Sequence, residues 1–239
     1  MRDRVVALAG GSGGLGAATA RLLVAEGARV VVGYHHDLER AERLGVPVCR
    51  ADIRTAEGRK TLLDAAAGMY GLVVLVGDPG RGADEDTLRR SVEVNYLGPV
   101  LLAREAAERM QAAGTQGAIV LLASMQAVHV FENSTAYAAA KVALIHAARV
   151  LAKECGGRAN IRVNVVAPGV TTAGMAEASV RSGKYDRLLE SGVIPRWGRA
   201  EHVARAVRFF LEPDSYITGQ VLAVDGGLTL RRDLGIVTK

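Results

Sequence analysis

Tyr137 and Lys141 stand four residues apart in the run Ala136-Tyr-Ala-Ala-Ala-Lys141, and Ser124 lies thirteen residues upstream. Four residues is one helical turn, so the phenol and the ammonium share a helix face. A free phenol has a pKa of about 10, and a neighbouring cation lowers it. Such a pair suits a proton donor working near neutral pH. A glycine-rich turn, Gly10-Gly11-Ser12-Gly13-Gly14-Leu15-Gly16, lies near the start of the chain. Backbone amides bared at such a turn, where a helix begins, cradle phosphate. A proton donor and a phosphate cradle on one chain point to nucleotide-dependent redox chemistry. Taken singly, Tyr137 also reads as an ordinary helix residue, Ser124 as a strand-end cap and Asn95 as a turn residue.

The elements that must position these groups alternate along the chain. Val5–Ala9, Ala28–Val32, Val46–Cys49, Leu72–Val76, Ala118–Ala123, Ile161–Val166 and Val221–Val224 are short Val-rich runs. Continuous apolar runs of this length read as strands covered on both faces. Between them, Gly14–Glu26, Asp37–Leu44, Ala56–Ala67, Asp84–Ala113, Ser134–Cys155 and Ala200–Leu211 read as helices. This alternation predicts a single α/β domain over residues 1–239, a doubly wound parallel sheet of seven strands, the Rossmann fold. Right-handed crossovers place the ligand crevice at the carboxyl ends of the strands. Ala173–Trp197, with Gly174, Gly183, Gly192 and Pro195, reads as a short helical lid over it.

Half of the 239 residues are apolar, enough for one substantial core. The formal charge is +5, but the basic residues are scattered and none cluster with aromatics, so nucleic acid is not an expected partner. Cys49 and Cys155 are the only cysteines. They form neither a metal pattern nor a disulfide framework, so no metal is expected and a cytoplasmic location is. The apolar run after Met1 meets glycines too early for a secretory signal, and no run is long enough to span a bilayer.

The glycine spacing is G-x-x-x-G-x-G. Gly10 serves a tight turn, Gly14 close approach to a pyrophosphate and Gly16 helix packing, with Ser12 and Leu15 as further loop contacts. Cofactor choice turns on the end of the second strand. An acid there would bind the ribose 2′-hydroxyl of NAD. The chain instead reads Gly33-Tyr34-His35-His36, and these residues with Arg40 suit a 2′-phosphate, so NADP is expected over NAD. Asp37 comes late and reads as a helix cap. Asp52 and Ile53 follow the third strand, where Asp52 can meet the adenine amino group. The alternative for Asp52 is an N-cap, a task for which Thr55 competes.

With these pieces together the chain resembles the short-chain dehydrogenase/reductase family, most closely its 3-oxoacyl-carrier-protein reductase branch. The resemblance runs over nearly the whole chain. It rests on Ala9–Gly16, Asp52-Ile53, Asn95 in Val-Glu-Val-Asn-Tyr, Ser124, Tyr137 with Lys141, Ile161-Arg-Val-Asn-Val-Val-Ala-Pro-Gly169 and Ile217-Thr-Gly-Gln-Val-Leu-Ala-Val-Asp-Gly-Gly227. It implies a catalytic tetrad of Asn95, Ser124, Tyr137 and Lys141. Ser124 would hydrogen-bond the substrate oxygen and Tyr137 deliver the proton. Lys141 would hold the nicotinamide ribose and, with the cofactor's positive ring, lower the phenol's pKa. Asn95 would hold a water linking Lys141 to solvent. Pro168, Gly169 and the backbone of Val170 would meet the nicotinamide carboxamide.

The chain departs from the family at Gly77-Asp78-Pro79-Gly80, where Asn-Asn-Ala-Gly is usual. Gly77 and Gly80 can keep the backbone contacts, while Asp78 adds a charge near the cofactor. Ala173 stands where a carboxamide-binding threonine is usual. Thr171 and Thr172 are both candidates to replace it, and Thr172 is taken into the cofactor set. Several connections are short, which suggests a specialised enzyme. The expected activity is NADPH-dependent reduction of a ketone to a secondary alcohol. The substrate would be a polyketide or another acyl or cyclic ketone, free or carrier-bound. The alternatives are an NAD-dependent alcohol or sugar dehydrogenase, and a silent nucleotide sensor. Carrier binding would need basic residues at the entrance, for which Arg158 is a candidate. Met125, Gln126, Val128, Phe131 and Trp197 are candidate pocket walls. The resemblance implies a homotetramer or homodimer, through the helices at 84–113 and 134–155, with the tail Leu228–Lys239 reaching a neighbour.

Overall fold

The computed structural model describes residues 1–230. Seven parallel strands form one sheet in the order β3-β2-β1-β4-β5-β6-β7. They are β1 (Val5–Ala9), β2 (Arg29–Tyr34), β3 (Val48–Arg50), β4 (Gly71–Val74), β5 (Ala118–Leu122), β6 (Arg162–Pro168) and β7 (Val221–Val224). Every expected strand is present. Five of them have shifted boundaries, and the shifts of β2 and β6 matter for function. β2 continues to Tyr34, held by the Tyr34–Arg50 register with β3, so His35 and His36 begin the next turn. β6 continues to Pro168, opposite Val224 of β7, which brings Pro168 and Gly169 to the crevice edge.

Helices cover both faces. α1 (Gly14–Ala25) and α9 (Ala200–Phe210) pack on one, through Ala20, Leu23, Val203, Val207 and Phe210. α3 (Ala56–Ala65), α5 (Gly98–Ala112) and α6 (Thr135–Glu154) pack on the other, through Leu62, Leu102, Ala106, Leu144 and Ala148. The many alanines let helices approach the sheet closely. Arg162, buried within β6, ties its strand to the end of α9. Its guanidinium donates to the carbonyls of Phe210 (3.0 Å) and Glu212 (2.8 Å) and to the Tyr70 hydroxyl (3.2 Å). Short α2 (Leu38–Glu42) is capped by Asp37, whose carboxylate accepts from the Arg40 amide at 2.8 Å.

The helix expected over 84–113 is broken. α4 (Glu85–Val92), capped by Asp84, runs into a π-helical turn at Glu93–Leu97 before α5 begins. An inserted residue of this kind re-aims side chains and concentrates at functional sites. Asn95 sits in that turn and is fully buried. The 173–197 segment holds α7 (Glu177–Arg181) and α8 (Arg187–Glu190), with a turn at Gly183 between them (φ +73°) and another at Gly192 after α8 (φ +67°). The expected tail contact at 228–239 falls largely outside the described residues.

Candidate active site

The strand order reverses between β1 and β4, and the chain leaves both strands into one crevice. Gly10 leaves β1 with φ +75°, and a Cβ there would lie 3.1 Å from Val76. A Cβ at Gly16 would lie 2.5 Å from the Gly10 carbonyl oxygen and 2.6 Å from Gly11 Cα. The backbone therefore folds back on itself at a distance no side chain permits. α1 starts from Gly13 with no side-chain cap and no acid in its first turn, leaving its amides bare for an anion. Over the same loop, a Cβ at Gly14 would meet Gly174 N at 2.8 Å. The bare amides of the loop suit the pyrophosphate of a dinucleotide, and the start of the 173–197 segment packs against the loop at Gly14.

At the adenine end, Thr55 caps α3, which leaves the Asp52 side chain free of that task. Asp52 instead binds Arg54 bidentately, with Nε–Oδ1 at 2.9 Å and Nη2–Oδ2 at 2.6 Å. That hydrogen bonding pulls the Asp52 carboxyl down to about 2. The Arg54 clamp has no marker in the motif. Sequence reasoning also passed over Gly58, where a Cβ would lie 2.1 Å from the Asp52 carbonyl oxygen and force the Asp52–Thr55 turn away from α3. His35 Nε2 is 3.4 Å from Asp52 Oδ2, and the His35 and His36 ring centroids are 3.6 Å apart. Burial is the largest influence on His35 and lowers its pKa. Asp52 raises it, and His36, Arg54 and Arg50 lower it further. His35, His36, Arg50 and Arg54 thus gather at the end of β2, with the Asp52 carboxylate among them.

At the reacting end, Ser124, Tyr137 and Lys141 come together. Ser124, two residues beyond β5, accepts the Gln126 amide at 3.2 Å, so it caps the 3-10 turn Met125–Ala127 and is a crevice residue at once. Tyr137, one turn into α6, lines the same cavity with Ser124 as its hydrogen-bond neighbour. Lys141 lies one turn on, with Nζ 5.8 Å from the Tyr137 ring centroid. It is 1% exposed and donates to the carbonyls of Leu122 (2.8 Å) and Val76 (3.4 Å). Burial lowers the ammonium's pKa to about 7. The expected depression of the Tyr137 pKa is not what the chain's own groups produce. Burial pushes that pKa above its usual 10, opposed by the Ser124 hydrogen bond.

Asn95 accepts the Asp78 amide on Oδ1 at 3.0 Å. Its Nδ2 donates to the Asp78 carbonyl at 2.9 Å and to Ser91 Oγ at 3.0 Å. Both side-chain N–H donors and one lone pair of Oδ1 are thus engaged, the bonds to Asp78 fastening the turn after β4, and among the described residues the second lone pair of Oδ1 stays free. A Cβ at Gly77 would lie 3.4 Å from Asn95 Oδ1 and 3.8 Å from Lys141 Nζ, so the turn passes in contact distance of both side chains. Asp78, the unusual residue, is doubly held. Its Oδ1 accepts from the Gly80 amide at 2.7 Å and its Oδ2 from Arg90 Nε at 3.1 Å. Gly80 takes φ +54° against the Tyr137 backbone. Ser91, which sequence reasoning missed, bonds the Ala136 carbonyl at 2.9 Å and so joins α4 to the start of α6. Its signal was available, four residues before Asn95 on one helix face.

The crevice beyond Tyr137 is a cavity of about 620 Å³. Pro168, Gly169 and Val170 form one edge. Thr171 lines it and turns its hydroxyl to the Ala173 carbonyl at 2.9 Å, whereas the Thr172 hydroxyl is exposed beside the Gly198 carbonyl at 3.4 Å. Of the expected walls, Met125, Gln126 and Phe131 line the cavity, while Val128 is exposed and Trp197 packs among lid residues. Arg158 precedes β6 and lies at its amino end, opposite the crevice, so it is not at the entrance.

A parallel seven-stranded sheet with a glycine cradle and a Ser-Tyr-Lys group at its switch point defines a nicotinamide-dependent oxidoreductase. Residues 9–229 match the family model described as Enoyl-(Acyl carrier protein) reductase. The chain is 34% identical over 247 residues to cis-4-hydroxycyclohexanecarboxylate dehydrogenase of Sinomonas cyclohexanicum, covering 95% of this chain and 97% of that one. It is 30% identical over 236 residues to 7alpha-hydroxysteroid dehydrogenase of Escherichia coli, covering 92% of each. Among solved structures, a short-chain type dehydrogenase/reductase from Mycobacterium ulcerans superposes with a TM-score of 0.89 at 28% identity, over 97% of this chain and 92% of that one. A variant of actinorhodin polyketide ketoreductase with NADPH gives 0.84 at 27%, over 97% and 100%. The chain belongs to the short-chain dehydrogenase/reductase family and is an oxidoreductase acting on hydroxyl and carbonyl groups.

Proposed function

We propose that this protein is an NADPH-dependent ketoreductase, giving a secondary alcohol from a polyketide, acyl or cyclic ketone. The observation that carries the proposal is the meeting of Ser124, Tyr137 and buried Lys141 at the crevice floor. When bound, the reduced dinucleotide supplies the hydride. Ser124 donates a hydrogen bond to the carbonyl oxygen, where negative charge develops. Tyr137 gives that oxygen its proton. Lys141, held by two carbonyls, lies beside Tyr137 on the proton path and against the ribose. Asn95 is a positioning residue that fastens the Gly77–Gly80 turn beneath the nicotinamide. Gly10, Ser12, Gly14, Leu15 and Gly16 hold the pyrophosphate. Asp52 and Ile53 face the adenine, while Gly77, Gly80, Pro168, Gly169 and Val170 border the nicotinamide. Thr171 takes the place first given to Thr172, because its side chain faces the cavity.

The preference for NADPH rests on the end of β2. β2 itself ends on no acid, and His36, Arg50 and Arg54 lie close enough to influence His35, with Asp52, just after β3, reaching the same place and paired to Arg54. Solved neighbours with NADPH or NADP support it at the level of fold. The test is reduction of a ketone panel with each dinucleotide. At least tenfold higher kcat/KM with NADPH is expected, and a clear NADH preference would overturn the assignment. The relatives named for cyclic secondary alcohols favour one second reading, the same site working oxidatively. We place the protein in the cytoplasm; no helix among the described residues is long and apolar enough to cross a membrane. We also infer assembly as a homotetramer or homodimer through α4–α5 and α6, where Val92, Leu97, Val142 and Val150 are exposed. A monomer in solution would refute that.

A further inference from the structure

The cavity beyond Tyr137 has apolar walls but a cationic rim. Arg81, on the loop after β4, Lys184, between α7 and α8, and Arg187, at the start of α8, all line it. Glu132 is the one carboxylate in that lining among the described residues. Among the described residues some basic residues elsewhere on the helices are paired and others, such as Arg21, Arg104 and Arg149, are not, so what marks these three is that they line one cavity. Arg43, Lys60, Arg89 and Arg181 are each paired with an acid one turn away. Arg90, near the same loop, is paired with Asp78. Among the described residues Arg81, Lys184 and Arg187 have no carboxylate within ion-pair distance. Lys184 has only the Tyr185 ring, 5.6 Å from its Nζ. Cations of one sign along a low-dielectric cleft focus the field within it and attract an anion.

We infer that the crevice selects a ketone carrying a carboxylate at the end away from its carbonyl, with Arg81, Lys184 and Arg187 as specificity-determining residues. The inference rests on the ketoreductase reading for the orientation of that substrate. Tyr137 and Ser124 hold the carbonyl at the floor, the apolar walls take the carbon skeleton, and the carboxylate reaches the rim. Because the three cations are exposed, each contributes modestly, and their combined effect is what the site offers.

A binding experiment separates this inference from the reaction itself. The NADP(H)-loaded protein is titrated calorimetrically with cyclohexanecarboxylate and with cyclohexanecarboxamide, at low and high salt. The acid is expected to bind about tenfold tighter than the amide at low salt, and the preference to shrink at high salt. Each of Arg81→Gln, Lys184→Gln and Arg187→Gln is expected to cut the acid-over-amide ratio about twofold, and the triple variant to bring it near one. Circular dichroism checks that the variants fold. Equal affinity for acid and amide in the parent protein, or a ratio the triple variant leaves unchanged, overturns the inference whatever the enzyme turns over. If the charge preference holds but no ketone in the panel is reduced, the ketoreductase reading fails while the anion-selecting rim stands.

Discussion

Lys141 makes the site costly to fold, and the cost depends on pH in a calculable way. The residue is buried, and its ammonium pKa falls from 10.5 to about 7. In the unfolded chain it stays protonated to the higher value. Between pH 7 and 10.5 the unfolded state therefore binds the extra proton, and native stability rises with pH there. Below about pH 7 both states are charged and the full penalty, about 5 kcal/mol, applies. Comparing wild type with Lys141→Met isolates the effect. The variant loses the bonds to Leu122 and Val76, which shifts the whole curve but not its slope. From pH 7.5 to 9.5 wild type should gain about 2.5 kcal/mol relative to the variant. For a chain of this size that is about 5–10 °C in melting temperature. Urea denaturation of both proteins at fixed concentration across that range is the assay. A difference that stays flat would refute the reasoning, because it would mean the two carbonyls fully offset the loss of water and the lysine titrates normally.

Three further substitutions probe other parts of the account. Gly16→Ala drives a methyl into the Gly10–Gly11 backbone, so a loss of about 1–3 kcal/mol in stability and at least tenfold in NADPH affinity is expected from denaturation and titration; wild-type binding would show that the loop is not the cradle. Asp78→Ala releases the Gly80 amide and Arg90, and kcat should fall about tenfold, whereas Asp78→Asn, which can still accept from Gly80, should recover most of it; equal loss in both would place the charge rather than the turn in control. Arg162→Leu strands the Phe210 and Glu212 carbonyls, while the Tyr70 hydroxyl keeps its bond to the Leu211 carbonyl, and should cost about 3 kcal/mol in urea; a cost under 1 kcal/mol would show that water replaces the guanidinium.

What the sequence revealed and what it hid divide along a physical line. Strands β1, β5 and β6 were legible because buried parallel strands need unbroken Val- and Ala-rich runs. Gly10 and Gly16 were legible because only glycine fits that fold-back. Tyr137 with Lys141 was legible because a helical turn fixes their spacing. The π-helical turn at Asn95 left no mark, since one inserted residue changes neither composition nor apolar period. The fate of Asp78 was hidden too. A charge appeared to threaten the cofactor, but Arg90, twelve residues on, and the Gly80 amide absorb it, and that pairing exists only in three dimensions. Arg158 was misplaced because a basic residue beside a motif carries no information about which end of a strand it occupies. The pKa of Tyr137 was read from the charges of Lys141 and the cofactor ring, without the burial that opposes them.

The central claim is that the Tyr137 hydroxyl hands its proton to the substrate oxygen in a cradle that other residues build. Tyr137→Phe removes that oxygen and keeps the ring. NADPH affinity, measured by titration, should stay within about threefold of wild type, while turnover of the best ketone of the panel should fall at least a thousandfold, within the range a positioned acid contributes. Turnover within tenfold of wild type, at unchanged NADPH affinity, would contradict the claim and leave the hydroxyl without a role in the chemistry.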